Sequence, residues 1–211
     1  MKIKRFMQWL TLFLFIISFS VFVAINFRPL YVFDIGYLNI LDYTDVSRDV
    51  LLHNFDQLMA FLNNPFNTTL ALPDFPMSAS GAQHFYDVKK LFLLDYAVLI
   101  ITAIPAIWFI VSLVKQKALW KLIRPFQVAL VVPVIFGFLM AVGFDTFFVR
   151  FHELFFANDD WLFNPVTDPI INVLPEAFFM HCFILFFVLI EFIFLSGVIA
   201  GRLQLRRSYS R

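Results

Sequence analysis

Of the 211 residues, 61% are hydrophobic and 15% charged, against the roughly 45–50% and 25% of a soluble globular domain. Charged surface is therefore too scarce to enclose 31 Phe and a mean hydropathy of +0.82 in a water-facing shell, which excludes a soluble enzyme. A formal net charge of +1 excludes a nucleic-acid binder, and the single cysteine, Cys182, excludes an intramolecular disulfide and a zinc site built on several thiolates.

A helix needs about 20 apolar residues to cross the hydrocarbon core, and four stretches qualify. In chain order the first is about 6–27, behind the basic Lys2, Lys4 and Arg5. It is too long for a cleaved signal core and lacks a small-x-small site, so it is expected to be a retained anchor. An outer segment of about 28–90 follows. In it Asp42, Thr44, Asp45 and Ser47 offer helix N-caps, and Leu51, Phe55, Leu58 and Leu62 repeat at helical spacing until Asn63-Asn64-Pro65 stops the helix. Asn67-Thr68-Thr69 is formally a glycosylation sequon. The second span is expected at about 91–114, on a helix already begun near Ala82, and the third at about 125–148. A second outer segment of about 149–176 leads to the fourth span, about 177–201, interrupted only by Glu191.

Eleven of the 16 basic residues lie in the N-terminus, in the 115–124 loop and in the tail, segments that hold no Asp or Glu. Lys and Arg near span ends stay on the cytoplasmic side, so both termini are expected inside and the two acidic segments outside. The expectation is an all-α, single-domain bundle of four transmembrane helices with an extracytoplasmic helical and loop cap.

Ionisable groups near the membrane are costly and usually functional. His84, Asp87, Leu91 and Asp95 follow one another at spacings of three, four and four, which puts them on one helix face. Asp145 and His152 are seven apart and share a face if the helix continues past Phe144. Each histidine stands seven residues, on the order of 10 Å, above its boundary residue, so the two imidazoles reach the same depth. Imidazole accepts and returns a proton near neutrality, and a pair at headgroup level suits acyl chemistry. Two rival chemistries use the same region. His84 with Asp87, and His152 with Glu153 and Asp159, offer mixed metal ligands without a recognised ligand motif; Ser78 and Ser80 precede His84 without Gly-x-Ser-x-Gly. His53 and His181 fit the commoner role of interfacial hydrogen-bonding residues. The stretch from Phe151 to Asp168, with Trp161 in it, reads as an interfacial aromatic belt that also supplies apolar walls for a lipid-linked substrate.

The run Phe144-Asp145-Thr146-Phe147-Phe148, Phe151-His152-Glu153, Phe156-Ala157-Asn158-Asp159-Asp160-Trp161, Asn164-Pro165-Val166-Thr167-Asp168-Pro169 and Leu174-Pro175-Glu176-Ala177-Phe178-Phe179 resembles the signature of the bacterial lipoprotein intramolecular transacylase (Lit) family. His84-Phe85-Tyr86-Asp87-Val88-Lys89-Lys90-Leu91-Phe92 is similar to its other characteristic motif, and Ser47 to Phe55 looks like its outer helix. Ser80-Gly81-Ala82-Gln83 departs from the family, whose members often carry an acidic residue there.

The resemblance implies a bacterial cell-membrane acyltransferase that moves the sn-2 acyl chain of a diacylglyceryl-modified N-terminal cysteine to the cysteine's own α-amine. It implies no cofactor and no metal, with diacylglyceryl lipoproteins as substrate and membrane lipid as surroundings. By that analogy His84 and His152 are catalytic, with the assignment of base and acid open. Asp87 is expected to orient His84, Asn158 or nearby backbone N–H groups to hold an oxyanion, and Asp145 and Trp161 to support the site. A membrane ester hydrolase and a lipid-binding protein without activity are the alternatives.

Overall fold

The computed structural model describes residues 2–209, with side chains through Arg207. Every regular element among the described residues is helical: α1 (Lys2–Asn26), α2 (Arg28–Tyr37), a 3-10 turn (Ile40–Tyr43), α3 (Arg48–Asn63), α4 (Ala79–Lys115), a second 3-10 turn (Leu119–Leu122), α5 (Ile123–Ala129), α6 (Val131–Val142), α7 (Phe144–Phe155), α8 (Ile170–Val173) and α9 (Glu176–Tyr209). Four stretches are long and apolar enough to cross a membrane: Lys2–Asn26, Ala79–Lys115, Leu119–Val142 and Glu176–Arg207.

The third stretch ends earlier than its hydropathy suggests. Gly143, with φ −175° and ψ 86°, separates α6 from α7. Glycine is among the poorest helix formers, and one extended residue interrupts the i→i−4 ladder even though Phe144, Phe147 and Phe148 continue the apolar pattern. Asp145 and His152 thus share α7 rather than the end of a span.

The chain divides into two compact units. One comprises residues up to Ala24, Asp95–Val142 and the chain from Phe183 onward. Its core joins Leu12 and Ile16 of α1, Phe109 and Leu113 of α4, Phe126 of α5 and Phe194 of α9. Trp9 meets Phe109 edge-on at 5.3 Å between ring centroids, and Phe126 meets Phe194 at 5.0 Å. Two glycines allow the approach of α9: a Cβ on Gly197 would lie 2.4 Å from the Phe126 ring, and one on Gly201 2.9 Å from the Leu119 carbonyl oxygen. Gln204 completes that contact by accepting the Leu119 N–H at 2.7 Å. Outward-facing side chains such as Ile104 and Phe138 are exposed and apolar, the surface that lipid covers. Asp95 accepts a hydrogen bond from Ser18, while Glu191 Oε1 is buried with no hydrogen-bond partner among the described residues.

The other unit comprises Ile25–Leu94 and Gly143–Cys182. The apolar stripe of α3 enters its core, with Leu51, Phe55, Leu58 and Leu62 all buried. Ser47 caps that helix by accepting the Val50 N–H. Tyr31 of α2 stacks on Phe55 at 4.0 Å and donates its hydroxyl to the Val173 carbonyl at 2.9 Å, tying α2 and α3 to α8. The connector after α3 is pinned twice. Fully buried Asn54 donates to Asp74 at 2.7 Å and accepts that residue's backbone N–H. The buried Lys89 ammonium lies 4.2 Å from the Phe61 ring centroid and donates to the carbonyls of Asn64 and Asn67 at the end of α3.

Candidate active site

The second unit brings His84 of α4 and His152 of α7 together. Their ring centroids lie 5.7 Å apart at an interplanar angle of 38°. Only 6% of His84 and 8% of His152 is exposed. Aromatic rings form the walls. Phe156 stands 4.8 Å from His84 and 5.6 Å from His152, Phe163 meets His84 edge-on at 5.5 Å, and Trp161 stacks on His152 at 4.7 Å and 27°. Phe148, one turn before His152 on α7, brings its ring centroid to 4.3 Å from the imidazole.

Hydrogen bonding distinguishes the two imidazoles. His152 Nδ1 lies 2.8 Å from the Phe148 carbonyl oxygen. A carbonyl only accepts, so Nδ1 carries the proton and Nε2 the lone pair. Burial pushes the pKa of His152 below its ordinary 6.5, against the opposite effect of the Phe148 hydrogen bond. His84 Nδ1 is buried and has no hydrogen-bond partner among the described residues.

The surrounding polar residues have hydrogen-bond and charge partners of their own. Asp87 accepts from Lys90 at 2.8 Å, from Asn158 at 3.0 Å and from Gln83 at 3.2 Å, and no hydrogen bond joins it to His84 among the described residues. It clamps α4 to the loop after α7. Asn158 thereby has one amide N–H engaged, and its oxygen accepts from the Asp160 backbone. Asp145 is exposed and interacts electrostatically with Glu176, and no hydrogen bond joins it to either imidazole among the described residues. Ser78 Oγ accepts the Gly81 N–H and pairs with Ser80, and no hydrogen bond joins either serine to a histidine among the described residues. Glu153 pairs with Arg150, and no group of three or more His, Cys, Asp or Glu side chains placed to hold a metal occurs among the described residues. His53 borders an open cavity of about 640 Å³ whose lining includes neither His84 nor His152. His181 binds the fully buried Asp34 at 2.8 Å; burial raises the pKa of that carboxyl against the lowering effect of His181.

One residue with structural weight in the site has no signal in spacing. Asp168 is 2% exposed; its Oδ1 accepts the Ser78 backbone N–H at 2.7 Å and its Oδ2 accepts the Thr167 hydroxyl at 2.6 Å. Burial would raise its pKa, but hydrogen bonds from Thr167, Ser78 and Asn164 hold it below the usual carboxylate value. In sequence it stands in the Asn164 to Pro169 part of the family-like run, with no periodic partner to suggest a role.

The family described as lipoprotein intramolecular transacylase Lit matches residues 6–179. The chain belongs to the Lit family. It is accordingly a multi-pass membrane acyltransferase. Among solved structures, the in meso structure of the membrane integral Lit from Bacillus cereus shares 29% identity with the chain at a TM-score of 0.91, covering 100% of this chain and 99% of that one. Two Bacillus cereus Lit structures with a single histidine replaced, one by arginine and one by alanine, each match with a TM-score of 0.79 at 29% identity. The arginine variant covers 99% of this chain and 96% of its own, the alanine variant 100% and 99%. No curated protein matches the chain.

Proposed function

We propose that this Lit-family chain transfers the sn-2 acyl chain of a diacylglyceryl-modified lipoprotein to the α-amine of the same N-terminal cysteine, leaving an N-acylated lyso-form lipoprotein. The observation that carries the reading is the buried imidazole pair, 5.7 Å between centroids, inside apolar walls that suit acyl chains. Ester and amine already share one molecule, so folding them together in a dry site supplies a large part of the barrier reduction, about 7–11 kcal/mol for well-oriented groups. No covalent acyl-enzyme is required.

His152 is the base in this reading. Its Nδ1–H is committed to the Phe148 carbonyl, which leaves Nε2 to take the proton that the amine nitrogen loses as it attacks the ester carbonyl. Collapse of the tetrahedral intermediate breaks the bond to the sn-2 oxygen. The proton that His152 took from the amine passes to His84, which delivers it to that departing oxygen, so both imidazoles end the cycle neutral, as they began. Asn158, through its second amide N–H, is the oxyanion donor, and Trp161 holds His152 in place. The site faces the outer leaflet, with both termini in the cytoplasm, because the three basic segments without carboxylates mark the inner side.

The test is mass spectrometry of a synthetic diacylglyceryl lipopeptide incubated with the purified protein in lipid. The product expected has unchanged mass and one acyl chain resistant to mild alkali. Loss of one fatty acid marks an ester hydrolase, and an unaltered lipopeptide removes the catalytic reading.

A further inference from the structure

We propose that Asp168 is a positioning residue of the histidine pair: its buried carboxylate sets where the first turns of α4 sit against the loop after α7, and so where His84 stands relative to His152. The inference rests on the histidine chemistry proposed above and extends it to a residue that touches neither imidazole by a hydrogen bond.

Three observations meet at this point. Asp168 Oδ1 accepts the Ser78 backbone N–H immediately before α4, where the exposed N–H groups of a helix favour negative charge. The carboxylate is itself immobile. Thr167 donates to Oδ2, the Asp168 N–H donates to the Asn164 carbonyl at 2.8 Å, and the Asp168 carbonyl accepts from Ile171 at the start of α8, whose Ile170 and Val173 lie in the core. Gly81 faces the same point. A Cβ there would lie 2.3 Å from Asp168 Oδ1 and 2.9 Å from Phe163 Cε1, a separation real Cβ atoms do not adopt.

Gly81 and His84 are three residues apart and therefore neighbours on one face of α4. Phe163 touches both: its ring approaches the Gly81 position and meets His84 edge-on. Asp168, Gly81, Phe163 and His84 thus form one contiguous stack from the helix start to the imidazole. Removing the carboxylate frees the first turn of α4 to shift along the loop that carries Trp161 and Phe156, the rings that hold His152. Asp168 is too deeply buried to meet substrate, so its effect passes through His84.

The experiment compares Asp168→Ala, Asp168→Asn, Gly81→Ala and the Gly81→Ala/Asp168→Ala pair in the full-length membrane protein. It reads kcat and KM on the diacylglyceryl lipopeptide, the folded fraction at assay temperature, and the rate at which diethyl pyrocarbonate modifies His84, followed by peptide mass spectrometry. Asp168→Ala is expected to lower kcat at least tenfold with KM within threefold, and to speed modification of His84 several-fold. Asp168→Asn, which keeps an oxygen for the Ser78 N–H, recovers most of both. Gly81→Ala lowers kcat alone but costs less than threefold where the carboxylate is already gone. A folded Asp168→Ala with kcat within twofold and His84 still protected overturns the inference, as does a kcat loss equal to the unfolded fraction. If Asp168→Ala does not fold, wild-type kcat and His84 protection in Gly81→Ala overturn it equally. If the wild-type protein leaves the lipopeptide unchanged, the transfer chemistry falls, while His84 protection still decides the positioning role.

Discussion

Replacing His152 by Asn separates its proton chemistry from its packing. The Asn amide keeps a donor near the position of Nδ1, so the contact with the Phe148 carbonyl, 2.8 Å in the native protein, survives, while the Nε2 lone pair is lost. Part of the stacking on Trp161, now at 4.7 Å, is lost with the ring. The stability cost should stay near 1–2 kcal/mol, the range of a substitution that keeps its hydrogen bond but loses buried contact. The rate cost is set by a different quantity. A positioned general base contributes about 10²–10⁴-fold, so kcat should fall by that factor with the protein still folded. His152→Ala should lose the same rate and more stability. The assay is single-turnover conversion of a diacylglyceryl lipopeptide in lipid, quenched in acid and scored by the alkali-resistant acyl chain, with thermal unfolding measured in parallel. A His152→Asn protein whose kcat lies within threefold of wild type refutes the base assignment.

The pH profile follows from the burial of His152. Its folded pKa lies below 6.5, so the ring stays neutral at pH 6.5, and an NMR titration of its ring protons should show a midpoint below that value; a midpoint at 6.5 or above contradicts this. The same depression means the unfolded chain binds more protons in the window below pH 6.5, so this group's contribution to stability is complete above 6.5 and declines as the pH drops through the folded pKa. Lys89→Met removes two charge-assisted hydrogen bonds to the Asn64 and Asn67 carbonyls and a cation–π contact. It should cost about 1.5–3 kcal/mol, measured by thermal unfolding in one detergent. Gly197→Ala forces a methyl into the space of the Phe126 ring, 2.4 Å from it, and should cost about 1–3 kcal/mol of overpacking. An unchanged melting temperature argues that α9 shifts freely.

The spans are legible in the sequence because lipid imposes a length and a composition that chance rarely produces. Equal helical distances from their boundary residues give His84 and His152 one expected depth but do not make them face each other; the fold brings their rings to 5.7 Å. Helix pairing is not encoded in period. The break at Gly143 is masked by aromatic residues that continue the apolar run across it. Asp87 shares a face with His84, but its oxygens satisfy Lys90, Gln83 and Asn158, the last supplied from 71 residues away. Asp34 and His181, 147 residues apart, pair within the second unit without any local pattern to announce it. Asp168 is hidden in the same way, because a turn aspartate and a helix-positioning aspartate look alike until the fold places Ser78 and Gly81 beside one of them.

The ring wall around the imidazoles bears on by-products as much as on rate. An activated ester meeting water releases a free fatty acid and leaves a lipoprotein with one chain too few, and bulk solvent offers a competitor far more abundant than any single amine. Phe148, Phe156, Trp161 and Phe163 occupy the volume such a competitor needs. The ratio of liberated fatty acid to N-acylated product is then a gauge of how well that enclosure seals, and opening it with Trp161→Ala should raise the leak even where turnover survives.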